Sequence, residues 1–439
     1  MRRPLMRTLA VGSILALAVV SQVGAQGAGL RPSADAAGLN FGAAVTVASL
    51  DADAAYRRLL IDNVNMVSTV SEIDFGVVQP EPGLYDFAAA DALVDFAAGN
   101  ELTVRGHGLI SPDGLPDWIV GGSWTAETLA TVLADHVTEV VGRYAERNPG
   151  VVTQWDVVDE AFLPDGTLRD SLWRQVIGDD YIRIAFEAAR AADPDALLFY
   201  DDFYDDLSVT QDAVDSGLTI VPGATADRSD CAQVAKCAGV QSTIASLTSA
   251  GVPIDGIGFQ AHLLSPDPVD FATFPGWVTD LGLEWAITEF DVPVPVTEIA
   301  SPDTLAFQAD AYATSMSACL DADSCDTFVV WGITDRLPPT PDTTGGAFGG
   351  ALWFDAADTP KPAAEAMADV LGVTEPEPTT TDVVPTEPAT APTVTSPPAE
   401  QAGDDSSTIV ALVVAAGALA VVGAVIVLAR RRAPDAKNP

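Results

Sequence analysis

Histidine is scarce: only His107, His136 and His262 occur in 439 residues. That is too few for a typical His-rich metal site, and no metal-ligand spacing surrounds them. Basic residues are also few, 21 Lys and Arg against 62 Asp and Glu, for a net charge of −41. Such a surface repels nucleic acid and anionic polymers and favours neutral or cationic partners. Strong acidity also serves as adaptation to salt, so the charge alone names no substrate. No GxGxxG follows any strand-like run, which argues against an open dinucleotide-binding sheet. The four cysteines form two equally spaced pairs, Cys231 with Cys237 and Cys319 with Cys325, in polar, loop-like stretches. Disulfides within each pair are the simplest of three connectivities, and they fit an oxidising compartment.

Both ends of the chain read as targeting segments. "MRRPLMR" is a basic n-region, "TLAVGSILALAVV" an apolar h-region and "VGA", ending at Ala25, a small-residue cleavage site, so residues 1–25 are expected to be a signal peptide. Residues 409–429 carry no charge and are long enough to span a bilayer, and "RRR" follows, which puts the tail 430–439 in the cytoplasm. No LPxTG-like sorting motif precedes the span. Residues 373–408 contain no Lys, Arg or aromatic residue and are rich in Pro and Thr, the composition of an extended stalk. The expectation is an exported cell-surface ectodomain on a single-pass anchor, with residues 35–372 as its globular part.

Within that part, short apolar runs alternate with amphipathic stretches. Strands are expected at 40–46, 64–70, 102–110, 152–160, 196–203, 256–263, 284–292 and 327–335. Between the third and fourth, Leu129, Val132, Leu133, Val137, Val140, Val141 and Tyr144 recur at helical spacing. Eight such runs with helical connectors predict a closed (β/α)8 TIM barrel; an open doubly wound sheet is the competitor. Polar residues gather at the strand ends: His107, Asp159–Glu160, Asp201–Asp202, Gln260 and His262, Glu289 and Asp291, Asp335. In a barrel those ends share one face, so residues far apart in sequence converge on one cleft.

Desolvating a charge is costly, so the apolar run "QWDVVDE" ending on two adjacent carboxylates needs a reason. Glu160 and Glu289 stand out as a pair. Glycoside hydrolysis needs two carboxyl groups flanking the scissile bond, one to protonate the leaving oxygen and one to attack C1 or activate water. Each Glu taken alone also suits an ion pair with a barrel-top Arg.

The runs "TVRGHGLI", "WDVVDEAF", "LLFYDDFY", "GIGFQAHL", "AITEFDV", "VVWGITD" and "LWFD…KPA", in that order across residues 40–370, resemble glycoside hydrolase family 10, the retaining endo-β-1,4-xylanases. The resemblance implies a (β/α) barrel with Glu160 as acid/base and Glu289 as nucleophile. It implies that His262 and Asp291 bond one another and orient the nucleophile. It further implies that Gln260, His107, Asp159 and Trp331 line the sugar site; for Trp331, core packing serves equally well. No metal or organic cofactor is implied, and the partner is a β-linked polysaccharide or oligosaccharide.

The departures from the family pattern are specific. Asp159 stands where the family has Asn, and a carboxylate cannot donate a hydrogen bond unless protonated. Its charge would also raise the pKa of Glu160 if both face the cleft. Val70, Ser71 and Asp74 replace the Glu, Asn and Lys that grip the next sugar, Ser111 and Pro112 replace a Trp and a second His, and "RLPPT" replaces a lid segment carrying Trp. Trp118, Trp124 and Trp353 offer either other stacking surfaces or barrel-to-helix packing. Two alternatives to a xylanase-like hydrolase follow: a hydrolase for a different β-glycan, or a glycan-binding barrel that has lost turnover.

Overall fold

The computed structural model describes residues 29–203, 229–263, 270–339 and 346–373. The expected signal peptide (1–25), nearly all of the stalk (373–408), the membrane span (409–429) and the tail (430–439) lie outside these residues. Among the described residues no helix is long and apolar enough to cross a membrane.

Eight parallel strands close into a barrel in sequence order. They are β1 (Asn40–Ala44), β2 (Met66–Ser68), β3 (Thr103–Gly106), β4 (Val152–Asp159), β5 (Leu197–Phe203), β6 (Gly256–His262), β7 (Glu284–Asp291) and β8 (Cys325–Val330). Closure comes from β1 pairing with β8, Asn40 opposite Thr327 and Phe41 opposite Phe328. The open-sheet alternative is thereby excluded. All eight expected strands are present, several shorter than the apolar runs.

The connecting helices bury the stripes that their spacing predicts. The longest, Ala126–Arg147, buries Leu129, Leu133, Val137, Val140, Val141 and Tyr144, with Val132 at the margin of the stripe. Thr125 caps it: its hydroxyl accepts from the Thr128 N–H, and the Thr128 hydroxyl accepts from the Thr125 N–H, so two orphan donors are satisfied reciprocally. Disulfides join Cys231 to Cys237 and Cys319 to Cys325, the simplest of the three pairings.

The barrel interior is not wholly apolar. Arg105 on β3 and Asp156 on β4 are fully buried there as an ion pair, with two guanidinium nitrogens on the two carboxylate oxygens. A third nitrogen donates to Gln154 Oε1 at 2.5 Å, and Gln154 donates onward to Thr327 at 2.7 Å. Arg105 also lies 4.4 Å above the Phe199 ring. Buried charges persist only when each is paired and hydrogen-bonded, which this layer achieves.

Candidate active site

Every strand-end residue singled out above except Asp335 lies in one connected network or beside it. Glu289, on β7, is 5 % exposed. Its Oε1 lies 3.2 Å from His107 Nε2 and its Oε2 lies 3.0 Å from His262 Nε2. Each ring is anchored from behind: His262 Nδ1 lies 3.0 Å from Asp291 Oδ1, and His107 Nδ1 lies 3.0 Å from Asp156 Oδ2. Burial opposes a charge on either ring, but the flanking carboxylates outweigh it. Asp291 and Glu289 raise His262, and Glu289 and Asp156 raise His107, well above the ordinary histidine range. His262 is hydrogen-bonded through both nitrogens, and His107 through Nδ1 to Asp156 while its Nε2 side faces the Glu289 charge. Glu289 shares a charge-assisted hydrogen bond with His262 on Oε2 and is paired by charge with His107 at Oε1.

Trp331 follows β8 and stands edge-on to both imidazoles, 5.4 Å from His107 and 6.2 Å from His262 between ring centroids. At 5 % exposure it packs beside the two rings that flank Glu289. Trp353 is core, packed edge-on against Phe41 at 5.3 Å. Trp118 and Trp124 are partly buried, 6.0 Å apart, and their indole N–H groups donate to the carbonyls of Gln79 and Ile119.

The register shifts where these residues sit. The β6–β7 ladder slips between Phe259 and Gln260, and the β7–β8 ladder between Ile287 and Phe290. A bulge re-aims side chains that strict alternation would send to opposite faces. That is how Thr288 and Glu289, adjacent in sequence, both join the network: the Thr288 hydroxyl donates to Asp201 Oδ1 at 2.7 Å. Gln260 Nε2 donates to Asp159 Oδ1 at 2.9 Å and to Asp201 Oδ2 at 3.2 Å. Gly258 lets Asp201 in, since a Cβ there would fall 2.0 Å from Asp201 Oδ1.

Glu160 comes next after β4, with φ +49°, in the left-handed region a side chain rarely adopts. The surroundings hold it there. Its N–H donates to the Asp201 carbonyl at 3.0 Å, Arg169 Nε donates to its carbonyl at 3.1 Å, and the Arg169 N–H donates to the Ala161 carbonyl at 2.7 Å. The side chain is 32 % exposed, open to the cleft. Partial burial, then the carboxylates of Asp202 and Glu289, push its pKa up, while Lys236 and Arg169 pull the other way. Asp159 and Glu160 are neighbouring carboxyls that repel one another. Asp159 is raised well above the carboxylate range by burial and then by Glu160. A protonated Asp159 regains the donor that an ionised one lacks.

The substituted sugar-side positions are rebuilt. Glu72 accepts the N–H groups of Val47, Val70 and Ser71. Asp74 is pushed up to about 6 by burial, an effect that His107 moderates. Asp335 takes no part in the network and pairs with Lys361 at 3.1 Å. Arg105, Asp156, Thr288 and Lys236 escaped the sequence reading; the one available signal was charge inside otherwise apolar strands, in "TVRG" and "QWDVV". His107, Asp156 and Asp201 bring three potential ligand atoms within 4.8 Å of one another, but the Arg105 guanidinium already occupies Asp156.

A carboxylate flanked by two histidines, whose charge also acts on a second, more exposed carboxyl after another barrel strand, suits glycoside hydrolysis. The family model for glycosyl hydrolase family 10 matches residues 29–217 and 227–370. The chain belongs to that family. It is 33 % identical over 341 residues to endo-1,4-beta-xylanase A of Fusarium oxysporum f. sp. lycopersici, a match covering 74 % of this chain and 94 % of that one. It is 31 % identical over 364 residues to endo-1,4-beta-xylanase B of Thermotoga neapolitana, covering 82 % and 96 %. Among solved structures, native xylanase 10B of Thermotoga maritima superposes with a TM-score of 0.67 at 32 % identity, covering 78 % of this chain and 98 % of that one. Xylanase 10B of Thermotoga petrophila RKU-1, in complex with xylobiose, matches with a TM-score of 0.67 at 32 % identity, covering 79 % and 98 %. This family 10 barrel is an endo-1,4-β-xylanase-like glycoside hydrolase.

Proposed function

We propose that the protein hydrolyses the β-1,4 linkages of xylan or xylo-oligosaccharides with retention of anomeric configuration, Glu289 acting as nucleophile and Glu160 as acid/base. The observation that carries this reading is the pair of histidines on Glu289, each anchored by its own carboxylate. In the first step a Glu289 oxygen attacks C1, the bond from C1 to the leaving oxygen breaks, and the Glu160 proton passes to that oxygen. In the second, Glu160 takes a proton from water, the water oxygen attacks C1, and Glu289 is released as carboxylate. The raised pKa of Glu160 suits an acid that must carry its proton near neutrality. Asp159, Gln260, His107 and Trp331 line the sugar position beside it.

The clean test is hydrolysis of β-1,4-xylan and of an aryl β-xylobioside by the purified protein beside Glu289→Ala and Glu160→Ala. Activity abolished by the first substitution and strongly reduced by the second supports the reading. No hydrolysis above the Glu289→Ala background refutes it, and glycan binding without turnover in that case would favour the binding barrel. Export and anchoring are also proposed, on sequence features alone: an n-region and h-region at one end, a stalk, an uncharged span and a basic tail at the other. Activity that moves from cells to medium when residues 409–439 are deleted would support them; activity staying inside the cell would not.

A further inference from the structure

The carboxyl that must deliver a proton stands at a left-handed position, and what holds its peptide reaches well beyond the cleft. The N–H of Ala161, the next residue, donates to the Tyr200 hydroxyl at 3.2 Å, and that hydroxyl donates to Asp202 Oδ2 at 2.5 Å. Asp202 Oδ1 lies 2.5 Å from the ammonium of Lys236, which is 2 % exposed. The contact is a charge pair rather than a directed hydrogen bond. The ammonium also sits over the Phe203 ring, 3.1 Å from its centroid. A lysine is almost never buried this deeply without a partner, and among the described residues the Asp202 carboxylate supplies one.

The element bearing Lys236 is fixed in two independent ways. Lys236 stands in the first turn of the helix Ala235–Ser249, and the Cys231–Cys237 disulfide closes the loop that contains it. One turn on, that helix meets the loop following Glu160 backbone to backbone. A Cβ on Gly239 would lie 2.1 Å from the Gly166 carbonyl oxygen, and one on Gly166, at φ +81°, would lie 2.3 Å from that of Ala235. The helix therefore touches the Glu160 loop at both ends of a short path: through Gly166 from outside, and through Lys236, Asp202 and Tyr200 from within.

We propose that Lys236 is a positioning residue for the acid/base Glu160, acting through Asp202 and Tyr200 on the Glu160–Ala161 peptide. The inference rests on the assignment of Glu160 as proton donor. Without the ammonium, buried Asp202 keeps the Phe203 N–H, at 3.0 Å, and the Tyr200 hydroxyl but no counter-charge, so it takes up a proton and redirects that hydroxyl. The Ala161 N–H then loses its acceptor, and Glu160 loses one of the restraints on its left-handed backbone. The consequence falls on proton delivery, not on nucleophilic attack, because Glu289 is held by a separate set of side chains.

Leaving-group dependence separates this role from a merely structural one. The full chain carrying Lys236→Met, and separately Tyr200→Phe, would be assayed on phenyl β-xylobioside, whose leaving oxygen needs a proton, and on 2,4-dinitrophenyl β-xylobioside, whose leaving oxygen does not. Tyr200→Phe leaves the ion pair in place, so it reports even if Lys236→Met fails to fold. Both variants are expected to lose about tenfold or more in kcat/KM on the phenyl substrate. On the dinitrophenyl substrate each should stay within about twofold of wild type, the pattern that Glu160→Ala shows in exaggerated form. Equal losses on both substrates, or no loss on either, would overturn the proposal while leaving the hydrolase reading intact. A wild type inactive on both would refute the hydrolase reading, and this inference with it.

Discussion

Arg105 offers the sharpest test of how the barrel interior serves the site. Arg105→Met removes a guanidinium that contacts both oxygens of Asp156 and donates to Gln154, leaving the apolar stem against Phe199. Neither member of the pair is exposed. Breaking a buried pair on one side strands the other charge, at about 3–5 kcal/mol. Asp156 keeps one partner, His107 Nδ1 at 3.0 Å, so the expected loss lies at the lower end, about 3 kcal/mol. Reversible urea unfolding should show it as a lower midpoint with an unchanged slope. The double substitution Arg105→Met with Asp156→Leu removes both charges and should return to within about 1 kcal/mol of wild type. Activity should part company with stability there. His107 loses the acceptor that fixes its ring, and Asp201 Oδ2, at 3.7 Å, is too far to replace it without movement. A clamp misplaced by an ångström costs on the order of 100-fold, so kcat/KM should fall by that order in the stable double variant. A loss under about 1 kcal/mol in Arg105→Met would refute the charge argument. A double variant with wild-type kcat/KM would refute the claim that Asp156 acts through His107.

Two further predictions concern protons. Asp159 carries a raised pKa, so rising pH ionises it and removes its donor, whereas Asp159→Asn keeps a donor throughout; kcat/KM should decline less steeply towards alkaline pH in the variant, with a gain on the order of fivefold at that end, and superimposable profiles would count against this account. His136 is buried, stacked on Phe75 at 3.7 Å, and burial lowers its pKa to about 3. Below an unfolded-state value of about 6.5 the unfolded chain binds a proton that the native ring refuses, so stability should fall by up to ~1.4 kcal/mol per pH unit down to pH 3, and His136→Phe should flatten that slope in urea titrations at several pH values.

Much of the site was legible because its signals are local. An acid at the end of an apolar run is improbable without function, and eight such runs imply a common face, so Glu160, Glu289, His262, Asp291 and Gln260 could be grouped before any coordinates. The role of His107 was only half legible. Its resemblance to a sugar-contacting histidine gave no hint that the same ring also pairs with the Glu289 charge and leans on Asp156. Lys236 was invisible, since a lysine at the start of a helix near two cysteines reads as surface.

The amino-acid sequence by itself determined the strand count, the helical stripes and the pairing of cysteines at equal intervals as the simplest choice, and it singled out Glu160 and Glu289 as a candidate pair. Each depends on periodicity or composition within a few residues. Only the closed barrel decided which charges meet. Arg105 finds Asp156 because β3 and β4 are neighbours whose inward faces enclose a space too dry for a lone charge. Thr288 and Glu289 both turn inward because the ladder slips there, and strict alternation would have sent one of them away. Burial raises the pKa of Asp159, a property of the packed cleft that no single residue identity encodes.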